Sequence, residues 1–241
     1  MLADVQSLFD AGAHFALPRA RRHPSASPYI FGTKDRTDIF DLEETTRRLA
    51  AAGAFVRAVC LSGQGGKHML FVGGKHEVAD IVKNAATKAA APYVAGRWIG
   101  GTLTNFKNIR KRIDRLQKLM DEREKGELEK YTKRERLLID REIEELLVRF
   151  GGLVSMVELP SALFVIDTRH EDTAVREANQ LGIPVIGLAS SDCDFAQIRY
   201  PIPANDTSIR SVRLNVNEIA EEYIGGKSHE TRNPNSEKGE S

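Results

Sequence analysis

Short apolar runs alternate with amphipathic segments along most of the chain. The runs are typical of strands buried on both faces, and they lie at 69–72, 92–94, 163–166 and 183–188. The amphipathic segments have helical spacing, and they lie at 42–61, 77–91, 171–181 and 206–224. Strands that alternate with helices predict an α/β fold. We therefore expect a parallel sheet flanked by helices, in the three-layer arrangement of flavodoxin-like and Rossmann-like proteins.

The first forty residues follow a different pattern. A short amphipathic helix is predicted at 5–11, and short strands are predicted at 29–31 and 39–40. The segment 14–28 contains three prolines, three arginines and no acid. It is typical of a basic loop that is either ordered in the free chain or becomes ordered on binding.

The middle of the chain predicts a helical hairpin. The first helix carries Ile109, Ile113, Leu116 and Met120 at helical spacing, and the second carries Leu138, Ile139, Ile143, Leu146 and Phe150. A capping box at 132–135 opens the second helix. We expect an inserted antiparallel coiled-coil hairpin at 104–150. It would interrupt a core domain formed by 1–103 and 151–224, and a polar, disordered tail would follow at 225–241.

Composition permits one large domain and excludes few functions. The chain has 241 residues and a net charge of only +1, from 35 Lys and Arg against 34 Asp and Glu. Nucleic-acid binding would therefore depend on local basic clusters. Cys60 and Cys193 have neither disulfide-framework nor zinc-site spacing, which indicates a reducing compartment and no metal. No signal peptide or membrane-spanning run is predicted.

One basic stretch stands out at the start of the hairpin. Between Arg97 and Lys118 the only acid is Asp114. The side chains of Lys107, Lys111, Arg115 and Lys118 share one helical face, and the turn before them contains two adjacent glycines. Such a face can neutralise phosphates, and glycine lets a backbone approach them closely. A solvated helix face is an equally good interpretation of the same pattern.

Several long motifs resemble one protein family. They are GKHMLFVGGK at 66–75, GRWIGGTLTNF at 96–106, FGGL at 150–153, LPSALFVID at 159–167, LGIPV at 181–185 and YPIPAND at 200–206. In this order they resemble the bacterial-type ribosomal protein two of the small subunit, over about 11–224. The basic loop departs from the family pattern, because Ala16-Leu17 stands where the family has Gly-His.

The resemblance implies a structural, non-enzymatic protein on the back of the small ribosomal subunit, in the cytoplasm or an organelle, without a cofactor. Its implied partners are small-subunit ribosomal RNA, neighbouring ribosomal proteins and the large OB-repeat protein that captures messenger RNA. Trp98 could stack on a base or pack in the core. The expected RNA-contacting residues are Arg19, Arg21, Arg22, Arg97, Trp98, Thr104, Asn105, Lys107, Arg110, Lys111 and Arg115.

Two other functions compete with this one. A nucleotide- or phosphate-binding α/β enzyme could use the glycine turns at 63–67 and 73–75, but neither has the spacing of a P-loop or a dinucleotide fingerprint. The polar cluster at 167–172 follows a strand, where α/β enzymes hold their catalytic groups. A helix N-terminus rich in acids, which suits the helix dipole, is the interpretation that we favour for that cluster. The third possibility is a protein scaffold that uses the hairpin alone.

Overall fold

The N-terminal unit is a small antiparallel sheet beside a short helix. The structure is a computed structural model, and it describes residues 3–61 and 68–231. The unit comprises α1 (Val5–Asp10), β1 (Phe15–Pro18), β2 (Ile30–Lys34) and β3 (Thr37–Phe40). The strand order is β1-β3-β2. The predicted strands at 29–31 and 39–40 are present, and the basic loop between β1 and β2 contains two short 3-10 helices.

A five-stranded parallel sheet forms the centre of the molecule and confirms the predicted α/β class. Its order in space is β5-β4-β6-β7-β8. Leu70 lies opposite Leu163, and Phe164 lies opposite Ile186. The strands are β4 (Met69–Val72), β5 (Tyr93–Val94), β6 (Ala162–Ile166), β7 (Val185–Ala189) and β8 (Tyr200–Pro203). The direction of winding reverses between β4 and β6, as in flavodoxin-like folds.

Helices cover both faces of this sheet. In chain order they are α2 (Leu42–Leu61), α3 (His76–Lys88), α4 (Phe106–Glu124), α5 (Lys133–Phe150), α6 (Asp172–Gln180) and α7 (Ile209–Thr231). Side chains such as Phe71 and Phe164 point to the face covered by α2, α3 and α7. Leu70 and Val165 point to the opposite face, which α6 and the hairpin root cover. This alternation is what the pleat of a doubly covered sheet requires.

Helices α4 and α5 form the antiparallel hairpin. The capping box predicted at Thr132 and Glu135 is present at the start of α5. The buried stripe differs from the prediction at two positions. Leu119, rather than Met120, is the buried residue at the end of the α4 stripe, and Leu138 is 56% exposed.

The end of α7 corrects the predicted boundary of the tail. Disorder is predicted from residue 225, whereas α7 continues to Thr231. Gly226 packs against Cys60, where an added Cβ would lie 2.7 Å from the cysteine Cβ. Lys227 donates to the backbone oxygens of Ala89 and Ala90 at 3.2 and 3.0 Å. These contacts hold 226–227 against α2 and against the turn that follows α3, and 232–241 lies outside the described residues.

Candidate nucleic-acid interface

The glycine turn, residues 98–104, wraps around the carboxylate of Glu177 on α6. Its Oε1 accepts from the indole Nε1 of Trp98 at 3.1 Å and from Gly101 N at 2.8 Å. Its Oε2 accepts from Leu103 N at 3.0 Å, Thr104 N at 3.1 Å and Thr104 Oγ1 at 3.2 Å. Glu177 therefore binds the backbone N–H groups that an external phosphate would need. This corrects the expectation that the glycine pair admits a phosphate to these groups.

Glu177 is 7% exposed, and its environment favours the ionised form. Burial raises the pKa of this carboxyl, but the hydrogen bonds from Trp98 and three backbone N–H groups outweigh burial and lower the pKa overall. Gly101 has φ of +89°, a conformation that a side chain would strain. The turn is thus shaped by a buried anion and one obligatory glycine.

Trp98 lies in the core and not on the surface. It is 8% exposed and belongs to the same apolar cluster as Leu70 and Ile109. An indole in this position cannot stack on an RNA base without leaving the core. The structure therefore favours the packing role and removes Trp98 from the set of direct contacts.

The basic face of α4 is exposed at the root of the hairpin. Lys107, Lys111 and Arg112 are exposed, and none of them forms an ion pair with a residue in the described ranges. Arg115 lies further along the helix and pairs with Glu142 on α5 at 3.2 Å. Exposed pairs of this kind are weak and exchange partners readily. Free positive charge is therefore concentrated in the first two turns of α4.

Arg110 has a structural role inside the hairpin root. Its guanidinium donates to the backbone oxygens of Val154 and Met156 at 3.4 and 3.0 Å and pairs with Asp114 at 2.9 Å. The side chain is 24% exposed. These contacts hold the segment after α5 against α4. They leave the guanidinium little capacity for a phosphate, contrary to the role expected from the sequence.

The basic loop is fixed to the carboxyl ends of the central strands. His23 N donates to Ser191 O at 2.8 Å. Arg21 pairs with Asp192 at 3.7 Å, and Arg22 pairs with the fully buried Asp38 at 3.6 Å. Arg19 is exposed and forms no ion pair within the described ranges. The loop is thus ordered within the chain itself, and Arg22 serves to neutralise a buried carboxylate.

The expected contact residues fall into two groups. Arg97, Thr104, Asn105, Lys107 and Lys111 lie together at the hairpin root, because they follow one another from β5 into α4. Asn105 precedes the first turn of α4, and its side-chain oxygen accepts from Asn108 at 2.9 Å. Arg21 pairs instead with Asp192 in the segment that follows β7, and Arg22 pairs with Asp38 on β3. The contacts of these loop arginines therefore involve elements other than the hairpin root.

The carboxyl edge of the sheet, where an α/β enzyme would hold its chemistry, contains a network of ion pairs. Lys75 pairs with Asp167, and Arg169 pairs with Asp192 at 2.7 Å. Glu171 accepts from Gly74 N at 3.0 Å. The cavity at this edge has a volume of about 390 Å³. Its charges neutralise one another within the chain, so the glycine turn at 73–75 offers no free cation for a nucleotide phosphate. The other predicted turn, at 63–67, lies outside the described residues.

Three possible metal ligands meet at the same edge. One ligand atom each of Asp167, Cys193 and Asp206 lies within 4.8 Å of the others. Burial raises the pKa of the Cys193 thiol to about 12, which keeps it protonated, and the ammonium of Lys75 contacts Asp167. Burial, with the charge of Asp167, raises the pKa of Asp206 to about 7, although Lys75 opposes this. The ammonium of Lys75 therefore already offsets the charge of Asp167 within this cluster.

Sequence reasoning did not identify Glu177. Its signal is nevertheless present, because it is an acid on the apolar face of α6 formed by Ala174, Val175 and Ala178. A charged residue on a buried face requires compensating donors. The candidate donors are the N–H groups of a nearby glycine-rich turn.

Comparison with known proteins identifies close relatives. The family model described as ribosomal protein S2 matches residues 8–226. The small ribosomal subunit protein uS2 of Roseiflexus sp. (strain RS-1) is 42% identical over 226 residues, which cover 94% of this chain and 85% of that protein. The proteins of the same name from Coprothermobacter proteolyticus and Dichelobacter nodosus are 39% and 41% identical, over 92% and 90% of this chain and 82% and 80% of theirs. Within the described ranges, no helix has the length and apolar character needed to cross a membrane.

Proposed function

The chain belongs to the ribosomal protein S2 family, and from this premise we propose that it binds small-subunit ribosomal RNA as a non-catalytic constituent of the subunit. The α/β core would fix the position of the hairpin, and the hairpin root would contact the phosphate backbone. Contacts to phosphates set position and register, and they read little base sequence.

The observation that carries this proposal is the exposed basic root of the hairpin. Arg97, Lys107 and Lys111 form no ion pair within the described ranges, although the chain as a whole is almost neutral. Glu177 holds the turn between Arg97 and α4 by five hydrogen bonds. These cations are therefore presented from a fixed backbone, which lowers the entropy cost of binding a rigid RNA surface.

The proposed partners include neighbouring small-subunit proteins and the large OB-repeat protein that captures messenger RNA. Exposed aromatic side chains on the N-terminal unit support a protein contact, since Phe31 is 80% exposed and Phe15 is 52% exposed. The proposed location is the ribosome, either in the cytoplasm or in an organelle. The closed ion network at the carboxyl edge supports a role without catalysis.

Co-sedimentation tests this proposal against a protein-only scaffold. The tagged chain is added to small subunits that lack it, and the pellets are assayed across a series of salt concentrations. We expect binding at moderate salt and release at high salt, because counterions displaced from phosphates oppose binding. Binding that persists unchanged as salt rises would contradict an interface dominated by phosphates and would favour the scaffold.

A further inference from the structure

Another cavity lies at the hairpin root, between the edge of the sheet and the end of α5. It has a volume of about 200 Å³. β5 is the outermost strand on this side of the sheet, and no other strand of the described ranges pairs with its outer backbone groups. Gly152 brings the end of α5 against this edge, since a Cβ there would lie 2.2 Å from Tyr93 O. The shape of the cavity therefore depends on the close approach of the backbone at the end of α5 to the backbone of β5.

Three cations from three different elements line this cavity. Lys83 comes from α3, Arg97 follows β5, and Arg149 comes from the last turn of α5. Lys83 and Arg97 form no ion pair within the described ranges. Arg149 pairs with Glu145 at 2.6 Å, but both side chains are more than half exposed, so this pair is weak. No acid among the described residues lines the cavity, whereas the two cavities at the carboxyl edge contain Asp192.

We propose that this cavity is a phosphate-binding site for the RNA backbone, formed by Lys83, Arg97 and Arg149. The proposal rests on the RNA-binding function and adds to it a site on the side of the hairpin root that faces β5. Glycines at 96 and 151 leave room for close approach of a phosphate, and three converging cations offset its charge. RNA is favoured over an acidic protein segment because Arg97 connects this cavity directly to the glycine turn and the basic face of α4.

Salt-dependent RNA binding by the full-length chain tests the site. The cavity variant carries Lys83→Gln and Arg149→Gln, and the matched control carries Lys88→Gln and Arg134→Gln on the same two helices away from the cavity. Both lose two positive charges at exposed helix positions. The probe is the cognate small-subunit ribosomal RNA. Filter binding across a salt series gives affinity and the slope of log K against log salt, and thermal unfolding verifies the fold.

We expect the cavity variant to bind RNA roughly threefold to tenfold more weakly, with a salt slope reduced by about 1 to 2. The control should stay close to the wild-type chain. Equal losses in both variants, or no loss in the cavity variant, would overturn the cavity site while leaving the RNA-binding function standing. A wild-type chain with no salt-dependent RNA binding would instead overturn the proposed function.

Two further arms identify the source of the anion. In the first, inorganic phosphate raises the melting temperature of the wild-type chain but not that of the cavity variant, while both variants bind RNA equally. This result would identify a free-anion site and overturn the RNA assignment. In the second, the cavity variant binds naked RNA normally but is poorly incorporated into subunits. This result would identify a protein partner for the cavity and would also overturn the RNA assignment.

Discussion

The indole Nε1 of Trp98 donates to the Glu177 carboxylate across a distance of 3.1 Å, and this bond ties the glycine turn to α6. Because α4 begins two residues after Thr104, the same carboxylate sets where the hairpin leaves the core. One buried anion therefore links the α/β core to the orientation of the basic helix face.

Replacing Glu177 should destabilise the chain. Glu177→Ala leaves buried N–H donors without an acceptor, so we expect a loss of about 2 to 4 kcal/mol in the free energy of unfolding. Urea denaturation measures this loss, and Glu144→Gln, an exposed position on α5, is the control. A loss in Glu177→Ala no larger than in the control would show that the turn does not depend on this carboxylate.

The pH dependence of Glu177 gives a separate prediction. Its pKa in the folded state lies below the usual 4.5, so its ionised form stabilises the fold above that pH. This contribution is lost as pH falls through the folded-state pKa. The stability difference between the wild-type chain and Glu177→Gln should therefore shrink as the solution is acidified below about pH 4.5, as measured by unfolding in buffers of matched ionic strength. A difference that stays constant would contradict this assignment.

The sequence predicts the class and layers of the fold well, because the spacing of apolar residues differs between buried strands and amphipathic helices. It does not predict β8. Pro201 and Pro203 argue against a strand, yet β8 lies at one edge of the sheet, where missing N–H donors are tolerated. Nor does it separate free cations from paired ones. Arg110 and Lys111 are neighbours in the sequence, but only the fold brings the carbonyls of Val154 and Met156 to Arg110.

Asp206 should make the chain less stable as pH rises towards neutrality. Burial and the charge of Asp167 raise its pKa in the folded state to about 7, from an ordinary value of 3.8, while Lys75 opposes this. Between these pH values the folded state binds the proton that the unfolded state has released, so stability falls with rising pH and levels off above about 7.

Asp206→Asn removes this titration. Melting temperatures measured from pH 4 to 8 should therefore decline less steeply for the variant. The titration of Asp206 should change the free energy of unfolding by a few kcal/mol in total over this range. Exposed Asp80→Asn is the control and should keep the wild-type profile. Identical pH profiles for wild type and Asp206→Asn would show that this carboxyl is not held protonated.

Gly152 should be far less tolerant of substitution than its neighbour Gly151. A Cβ at Gly152 would lie 2.2 Å from Tyr93 O, which is backbone and cannot rotate away, whereas a Cβ at Gly151 has only an ordinary contact at 3.7 Å. We expect Gly152→Ala to lower the free energy of unfolding by about 1 to 3 kcal/mol and Gly151→Ala to be nearly neutral. Equal stability of the two variants in urea denaturation would contradict the close approach of α5 to β5.

Charge reversal on α4 tests the RNA interface itself. Lys107→Glu with Lys111→Glu reverses two exposed cations at the hairpin root, and Lys133→Glu with Arg134→Glu makes the same change in charge near the hairpin tip. Loss of phosphate contacts should weaken RNA binding by the root variant roughly tenfold or more and reduce its salt slope by about 2, with an unchanged melting temperature. The tip variant should keep most of its affinity for RNA, because salt screens charges that lie far from the RNA. If both variants lost affinity equally, net charge rather than the position of Lys107 and Lys111 would govern binding, and the root could not be the interface.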